Sequence, residues 1–457
     1  MNRLHPPPRV LEIAERLERA GHAAWCVGGA IRDALLGHPH LDWDLATSAT
    51  PAEVRALFGE RRTIPVGIEF GTVGVLDREG AMHEVTTFRR DVRTDGRHAV
   101  VEFGASLDDD LARRDFTINA IAYSPKLGEI RDPFGGRDDL ARGLVRAVGD
   151  PEARMREDRL RAIRAIRFAA RFGFSIDEPT MRAITASAPF LGRLSPERVK
   201  QELDKTMEQV RRPSAAFVLW QASGAFATLV PPLASATPRA LTVPDHLAMP
   251  FGTAHPARRT LRFAGLLAEL GASGAERVMI ALRSSKQELQ LVSGVIGRWE
   301  RLGEEMTHKL TAISAPTDAD VRRWVAAIGR LQIGLVMRLA AAEWTVAREH
   351  GGVAPSDGAV RAVYRKMLRS AFRDALDLGA LAVDGDDLRR AGIPSGPGLG
   401  KILQALLAAV IDDPTKNTAD WLLQEATRAN ASLPPDGRRG ARGGSGAGGG
   451  SDVRTPD

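Results

Sequence analysis

The chain has 457 residues, 63 Lys and Arg against 57 Asp and Glu, and a net charge of +6, with a sequence pI near 9.8. This length allows two to four domains with well-buried cores. The basic balance favours a polyanionic partner, and a GC-rich genome would give the same Arg excess. The single cysteine, Cys26, excludes an internal disulfide and suits a reducing cytoplasm. The opening MNRLHPPPRV lacks the apolar core of a signal peptide, and no run approaches eighteen apolar residues. The expectation is a soluble, cytoplasmic protein with no membrane partner.

Arg9 to Ala20 carries Val10, Ile13, Ala14 and Leu17 at helical spacing. Ala23 to Val27 reads as a buried strand that breaks at Gly28-Gly29, with Cys26 packed inside it. Ala30 to Leu36 reads as a short helix closed by Gly37. Asp42 to Ala46 reads as a second strand, in which Asp42 and Asp44 share a face with Cα atoms about 6–7 Å apart. Two such carboxylates repel unless a cation lies between them, and Mg²⁺ suits carboxylates combined with substrate phosphates. Gly28 and Gly29 let the backbone approach a phosphate closely, and Arg32 offers a guanidinium to the same anion. A plain Gly-Gly turn beside an acidic strand end is the bland alternative.

Thr50-Pro51 opens a helix with Val54, Leu57 and Phe58 inward. Strands follow at Thr72–Leu76 and Ala81–Phe88, where Glu84 alone reads as a solvent-facing residue. Arg89 to Val101 has no apolar period and reads as a surface loop turning at Asp95-Gly96. Leu111 to Ser124 passes from helix to strand, with Asp115 placed to cap the turn. Asp132 to Gly136 forms a corner, and Asp138-Asp139-Leu140 starts a short helix.

From Pro151 the texture is helical. Ala153 to Phe172 reads as one helix ended at Gly173, with Asp158, Arg161, Arg164 and Arg167 in a drifting stripe. Taken alone, that stripe is a solvated Arg face holding an Asp–Arg pair. Ser195-Pro196-Glu197 starts another helix, read as packing. Later helices are expected over Ala257–Gly271, Asp318–Ile328, Arg361–Leu376 and Gly400–Ile411. Arg258, Arg259 and Arg262, and then Arg365, Lys366, Arg369 and Arg373, are candidate basic surfaces. Pro434 to Asp457 is Gly/Ser/Arg-rich and expected to be disordered.

The ordered set GGAIRD (Gly28–Asp33), the D-x-D of Asp42 and Asp44, RRDFTINA (Arg113–Ala120) and Glu157-Asp158-x-x-Arg161 resembles the class II tRNA nucleotidyltransferase and bacterial poly(A) polymerase family. The motifs cover roughly residues 25–205. The resemblance implies an α+β chain: a polymerase-β-like nucleotidyltransferase head (1–148), then an all-α neck (149–215), body and tail (216–430), and the terminal segment 431–457. It implies Mg²⁺ on Asp42 and Asp44, with Glu84 completing the catalytic carboxylates. Gly28, Gly29, Arg32, Arg114 and Asp115 are implied at the nucleotide and its ribose, with Asn119 beside them. Asp158 and Arg161 are implied as an amino-acid template for the base, with Arg164 and Arg167 near base or phosphates. Arg89–Val101 resembles the flexible loop of full CCA-adding and CC-adding enzymes.

The implied activity is template-independent addition of CCA to the tRNA 3′ end from CTP and ATP. Three alternatives stand beside it: a CC-adding enzyme with a separate A-adding partner, a poly(A) polymerase, and a catalytically dead RNA-binding protein. The segment VGIEFGTV replaces the Gly-Arg-Arg-Phe-like stretch of poly(A) polymerases, and the intact D-x-D opposes a dead head. RRTLRFAGLLAELG weakly resembles a helix of HD phosphohydrolase domains, but Ala268-Glu269 stands where the His-Asp pair should fall. The oligomeric state is unknown.

Overall fold

The computed structural model describes residues 4–38, 43–94, 99–247 and 256–432. The chain divides into two compact units, Met1–Ile296 and Gly297–Asp457. Asp42 and the expected disordered stretch Pro434 to Asp457 lie outside the described residues.

In the first unit, α1 (Pro8–Arg19) buries Val10, Ile13, Ala14 and Leu17, the stripe its spacing predicts. Strand β1 (Ala24–Val27) runs into α2 (Gly29–Leu35), and β2 covers Asp44–Thr47. Among the described residues this second strand begins at Asp44, with Trp43 outside it. Helix α3 (Pro51–Phe58) starts in a capping box, in which the Thr50 hydroxyl accepts from Glu53 N and the Glu53 carboxylate accepts from Thr50 N. Strands β3 (Thr63–Gly67), β4 (Thr72–Leu76) and β5 (Met82–Thr87) follow. In β5, His83, Val85 and Thr87 are buried while Met82, Glu84 and Thr86 face the other way.

The expected surface loop is instead an antiparallel ribbon of β6 (Arg89–Thr94) and β7 (Ala99–Phe103). Its charges obscure the Val, Thr and Phe residues that favour extended backbone on either side of the Asp-Gly signal, which itself lies outside the described residues. Helix α4 (Leu107–Ala112), β8 (Ala122–Ser124), β9 (Glu129–Arg131) and α5 (Gly136–Arg142) complete this part. The main sheet has the order β3-β4-β5-β2-β1-β8-β9. Its neighbours are antiparallel except for the parallel pair β2–β5. Val27, Ala46, Phe88, Leu111, Ala120, Ala122 and Val148 form one apolar cluster against it. Cys26 is wholly buried in β1, and burial pushes its thiol up to about 12.

After Val148 the structure is almost entirely helical. Residues 153–172 do not form one helix: α6 (Pro151–Glu157) and α7 (Leu160–Phe172) are separated at Asp158, whose backbone is extended at φ −146° and ψ 107°. The Asp158 carboxylate accepts from Leu160 N at 3.0 Å, so it caps the start of α7. A carboxylate that restarts a helix competes with continuing one, and mean propensity does not register that. Helix α7 ends at Gly173 with φ 69°, as the sequence predicts. Helices α8 (Glu178–Ser187) and α9 (Pro196–Gln209) follow.

The expected basic surface at Arg258, Arg259 and Arg262 is an interior feature. Arg262 is fully buried and donates to the carbonyl oxygens of Met207, Val210 and Arg211 at the end of α9. Burial, with nearby Arg258, lowers its pKa to about 10. Arg259 is paired with Glu208 and Glu288, and Arg258 is buried. Glu269, in the HD-like stretch, accepts from the backbone and hydroxyl of Thr237.

The second unit is helical, including Asp318–Ile328, Ile333–Glu349, Asp357–Arg373, Pro397–Asp412 and Ala419–Ser432. One of its cores gathers Val383, Leu388, Ile393, Ile402, Leu406, Val410, Leu422 and Ala426. Lys366, Arg369 and Arg373 border a hollow with Arg322, and Lys366 also pairs with Asp318 at 3.1 Å. The buried helix Ile333–Glu349 goes beyond the sequence expectation, because its apolar residues surround it rather than mark one face. Among the described residues no single helix is long and apolar enough to cross a membrane.

Gly136 opens α5 with its Cα against the chain: a methyl there would overlap the Thr117 carbonyl and press on Ile121. Gly136→Ala is therefore expected to destabilise the protein by about 2 kcal/mol or more, measured by chemical denaturation against Gly149→Ala. Gly149 has a positive φ of 68°, and a methyl on it would meet nothing within 4 Å, so this control reports backbone strain without overlap and should cost less.

Candidate nucleotide-transfer site

Where β1 ends, Gly28 takes φ 77°, and a Cβ there would lie 3.1 Å from Arg114 Nη1 and 3.9 Å from Asp44 Oδ2. The missing side chain keeps a narrow space open between a guanidinium and a carboxylate. Asp44 is paired in register with Val27 on one side. On the other side the parallel register Leu45↔Val85 sets Asp44 beside Glu84. The two carboxylates therefore share a face of strands about 4.8 Å apart. Asp44 and its surroundings open onto a cleft of 560 Å³, and Glu84 does not line it.

The cleft gathers Gly28, Gly29, Arg32, Asp44, Arg114, Asp115, Asp158, Arg161, Arg164 and Arg167, all expected at the nucleotide or metal. Arg113, Arg171, Arg198, Lys205 and Gln209 join them. Nine cationic side chains thus face three carboxylates, Asp44, Asp115 and Asp158. That balance fits a polyanion such as a nucleoside triphosphate.

The cations are held from behind by buried acids. Arg164 grips Asp115 Oδ2 through Nε at 2.9 Å and Nη2 at 2.7 Å. Asp115 Oδ1 accepts from Phe116 N and from Asn119 Nδ2. Asn119 Oδ1 accepts from Arg32, whose guanidinium also binds Asp33 and lies over the rings of Phe168 and Phe172 at 5.0 and 4.8 Å. Asp33 in turn receives Arg171 at 3.1 Å. Glu202 holds Arg167 at 2.6 Å, with Lys205 at 3.4 Å. Asp110, almost completely buried, holds Arg113 and Arg114 at 2.8 and 3.2 Å.

These surroundings shift the titrating groups. Burial raises the Asp115 carboxyl, but the charges of Arg164 and Arg161 and the bonds from Asn119 and Arg164 win, and it falls from 3.8 to about 2. Burial lowers the Arg32 and Arg167 pKa values, opposed by Asp33 and Glu202 respectively. Neighbouring Asp115 raises that of Arg164.

The expected Asp158–Arg161 pair is not formed. Breaking the helix at Asp158 swings its carboxylate toward Arg198, 2.7 Å away, while Arg161 binds Glu157 at 2.6 Å and the carbonyls of Arg154 and Arg113. Arg167 lines the cleft but is only 4% exposed and tied to Glu202. The segment read as packing, α9, turns Arg198, Glu202, Lys205 and Gln209 toward the site. Their spacing of i, i+4, i+7 and i+11 is a polar helical stripe opposite Val199, Leu203 and Met207, and it was the available signal. Among the described residues no group of three or more His, Cys, Asp or Glu converges on a metal position. Asp44 and Glu84 supply hard oxygen donors that fit Mg²⁺ when phosphate oxygens complete the set, and Asp42 lies outside the described residues.

Comparison with known proteins agrees with this geometry. Residues 24–146 match the Poly A polymerase head domain, and residues 173–237 match the probable RNA and SrmB-binding site of polymerase A. A CCA-adding enzyme of Geobacillus stearothermophilus is 33% identical over 439 residues, covering 92% of this chain and 98% of that protein. The chain belongs to the CCA-adding enzyme family. A member from Geobacillus thermodenitrificans is 48% identical over 207 residues, a match that spans 45% of this chain and 50% of that relative. The crystal structure of a Bacillus stearothermophilus CCA-adding enzyme in complex with CTP superimposes with a TM-score of 0.72 at 31% identity, covering 94% of this chain and 100% of that one.

In this family member the Asp115–Arg164 clamp has a defined pH window. Because the Asp115 carboxyl is depressed from 3.8 to about 2, its stabilisation is complete above the unfolded value and is lost as pH falls through the folded one. Arg164→Ala leaves a buried carboxylate unpaired and should cost about 3 kcal/mol at pH 7. Denaturation of Asp115→Asn between pH 5 and 2 should show a flatter acid loss than the parent.

Proposed function

We propose that this chain adds CCA to the 3′ end of tRNA from CTP and ATP, without a nucleic-acid template and with release of pyrophosphate. The observation that carries this reading is the single cleft in which the Asp44 strand end, a ring of guanidinium groups and the Asp158 carboxylate meet. In this reading residues 1–148 are the catalytic head, 149–215 the neck that reads the nucleotide, and 216–430 a helical body and tail that carry tRNA. With its buried free thiol, the protein suits a reducing cytoplasm.

Mg²⁺ held by Asp44 and Asp42, with Glu84 assisting, would supply Lewis-acid charge at the attacking 3′-hydroxyl and the leaving pyrophosphate. Gly28 leaves room for the α-phosphate beside Arg114, with Gly29 next to it on the cleft wall, and Arg32 keeps Asn119 and Asp33 in place behind it. Arg164 and Arg171, braced on Asp115 and Asp33, bring positive charge toward the triphosphate from the neck. The packed arginines hold these groups before substrate arrives, so little reorganisation is needed during phosphoryl transfer.

Base choice falls to Asp158 and Arg161. The carboxylate accepts from the exocyclic amine that cytosine and adenine share, whereas uracil and guanine present a carbonyl oxygen at that edge. The segment VGIEFGTV supports tRNA as the acceptor over a poly(A) primer.

A tRNA transcript ending at the discriminator base, incubated with Mg²⁺, CTP and ATP, should grow by CCA and stop. Arrest after CC would make this a CC-adding enzyme, and long A tails a poly(A) polymerase. Asp44→Ala should lower incorporation by about 10³-fold while tRNA binding, followed by gel shift, persists. Loss of binding along with incorporation would reject the catalytic assignment.

A further inference from the structure

The Asp158 carboxylate is the acidic half of the base reader in the function proposed above, and its orientation is set by groups outside the E-D-x-x-R motif. Oδ1 accepts from Leu160 N at 3.0 Å and Oδ2 from Arg198 Nη2 at 2.7 Å. Both side chains are about one third exposed, Asp158 at 28% and Arg198 at 31%, and both line the cleft. Arg161 takes no part: its Nη1 is on Glu157 and its Nη2 on the carbonyl of Arg113. The base-reading carboxylate is thus held between the first turn of one neck helix and a guanidinium of another.

We propose that Arg198 is a positioning residue for nucleotide choice, holding the Asp158 carboxylate so that its remaining lone pairs meet the exocyclic amine of cytosine or adenine. This rests on the reading of Asp158 as a base contact. Three physical features support it. An ionised carboxylate only accepts hydrogen bonds, so with each oxygen anchored once, a second acceptor site on each is left for a ligand in the cleft that Asp158 lines. The Asp158 backbone is extended and outside both helices, so helical geometry does not restrict its χ1 as it would inside a helix, and side-chain partners set the rotamer. Finally, Arg198 stands on α9, one turn before buried Glu202, which pins Arg167. The group that orients the reader is thereby carried on a braced helix rather than a loop.

Without Arg198, Asp158 keeps only the Leu160 N–H and can rotate toward other cations of the cleft. An acceptor of variable position no longer favours an amine donor over a carbonyl oxygen at a fixed place.

The test measures kcat/KM for CTP, UTP, ATP and GTP in single additions to tRNA ends that await C or A. It compares the parent, Arg198→Ala and Arg198→Lys. Arg198→Ala is expected to lower kcat/KM for CTP and ATP by about tenfold, the order of a charged hydrogen bond, and to leave UTP and GTP nearly unchanged. The CTP/UTP and ATP/GTP preferences then shrink by about the same factor, with Arg198→Lys intermediate. An equal fall for all four nucleotides, or unchanged preferences, would overturn the positioning role while leaving the proposed function intact. A parent enzyme that adds neither C nor A would sink both. Thermal unfolding of each variant accompanies the assay. If Arg198→Ala does not fold, Arg198→Lys alone decides, because its preference must still narrow.

Discussion

Nine cations in one cleft repel one another, and the architecture of this protein answers that repulsion. Each arginine that faces the cleft from α7 has a carboxylate behind it or beside it: Asp115 for Arg164, Glu202 for Arg167, Asp33 for Arg171 and Glu157 for Arg161. Such buried pairs contribute little net stability once desolvation is counted. Their value here is geometric, since they present positive charge to a ligand without letting the side chains swing apart. The cleft remains electropositive because its acids lie mostly in the wall.

The same pairs join two kinds of secondary structure. Asp33 and Asp115 belong to the sheet-bearing part of the first unit, whereas Arg164 and Arg171 belong to α7. Phe168 and Phe172, from that helix, both lie against the Arg32 guanidinium of α2, and Phe116 meets Phe168 edge to face at 5.8 Å. Sheet and helix therefore meet through a mixed aromatic and ionic seam, on which the distance from the Asp44 strand end to the Asp158 helix break depends. Loosening one side of that seam displaces the phosphate-facing groups relative to the base-facing ones.

Much of this is legible in the amino-acid order. The Gly-Gly break, the capped helix at Thr50, the strands around Glu84 and the helix end at Gly173 follow from local rules that need no partner. The ordered motifs alone point to eleven of the residues that line the cleft, Asn119 among them. What stays hidden depends on tertiary neighbours. A run as helix-favouring as Ala153–Phe172 splits because one aspartate finds an N–H two residues ahead and an arginine forty residues away. Arg262 reads as surface charge until three carbonyl oxygens at the end of α9 are seen to need a donor. Charge masks the β6–β7 ribbon, and the helix after the motifs, α9, reads as packing unless its polar stripe is weighed as well. Asp42, the first carboxylate of the D-x-D, lies outside the described residues.

The only sulfhydryl in the chain sits in the middle of a seven-stranded sheet, sealed from solvent and held in its neutral form at physiological pH. Thiol reagents attack the thiolate, and they need access. The native polypeptide is in effect a labelling-silent scaffold: a cysteine introduced at an exposed position such as Leu127 or Val218 becomes its one addressable handle. Single fluorophores, spin labels or crosslinkers can then be attached without first engineering away a background, in an otherwise unaltered chain.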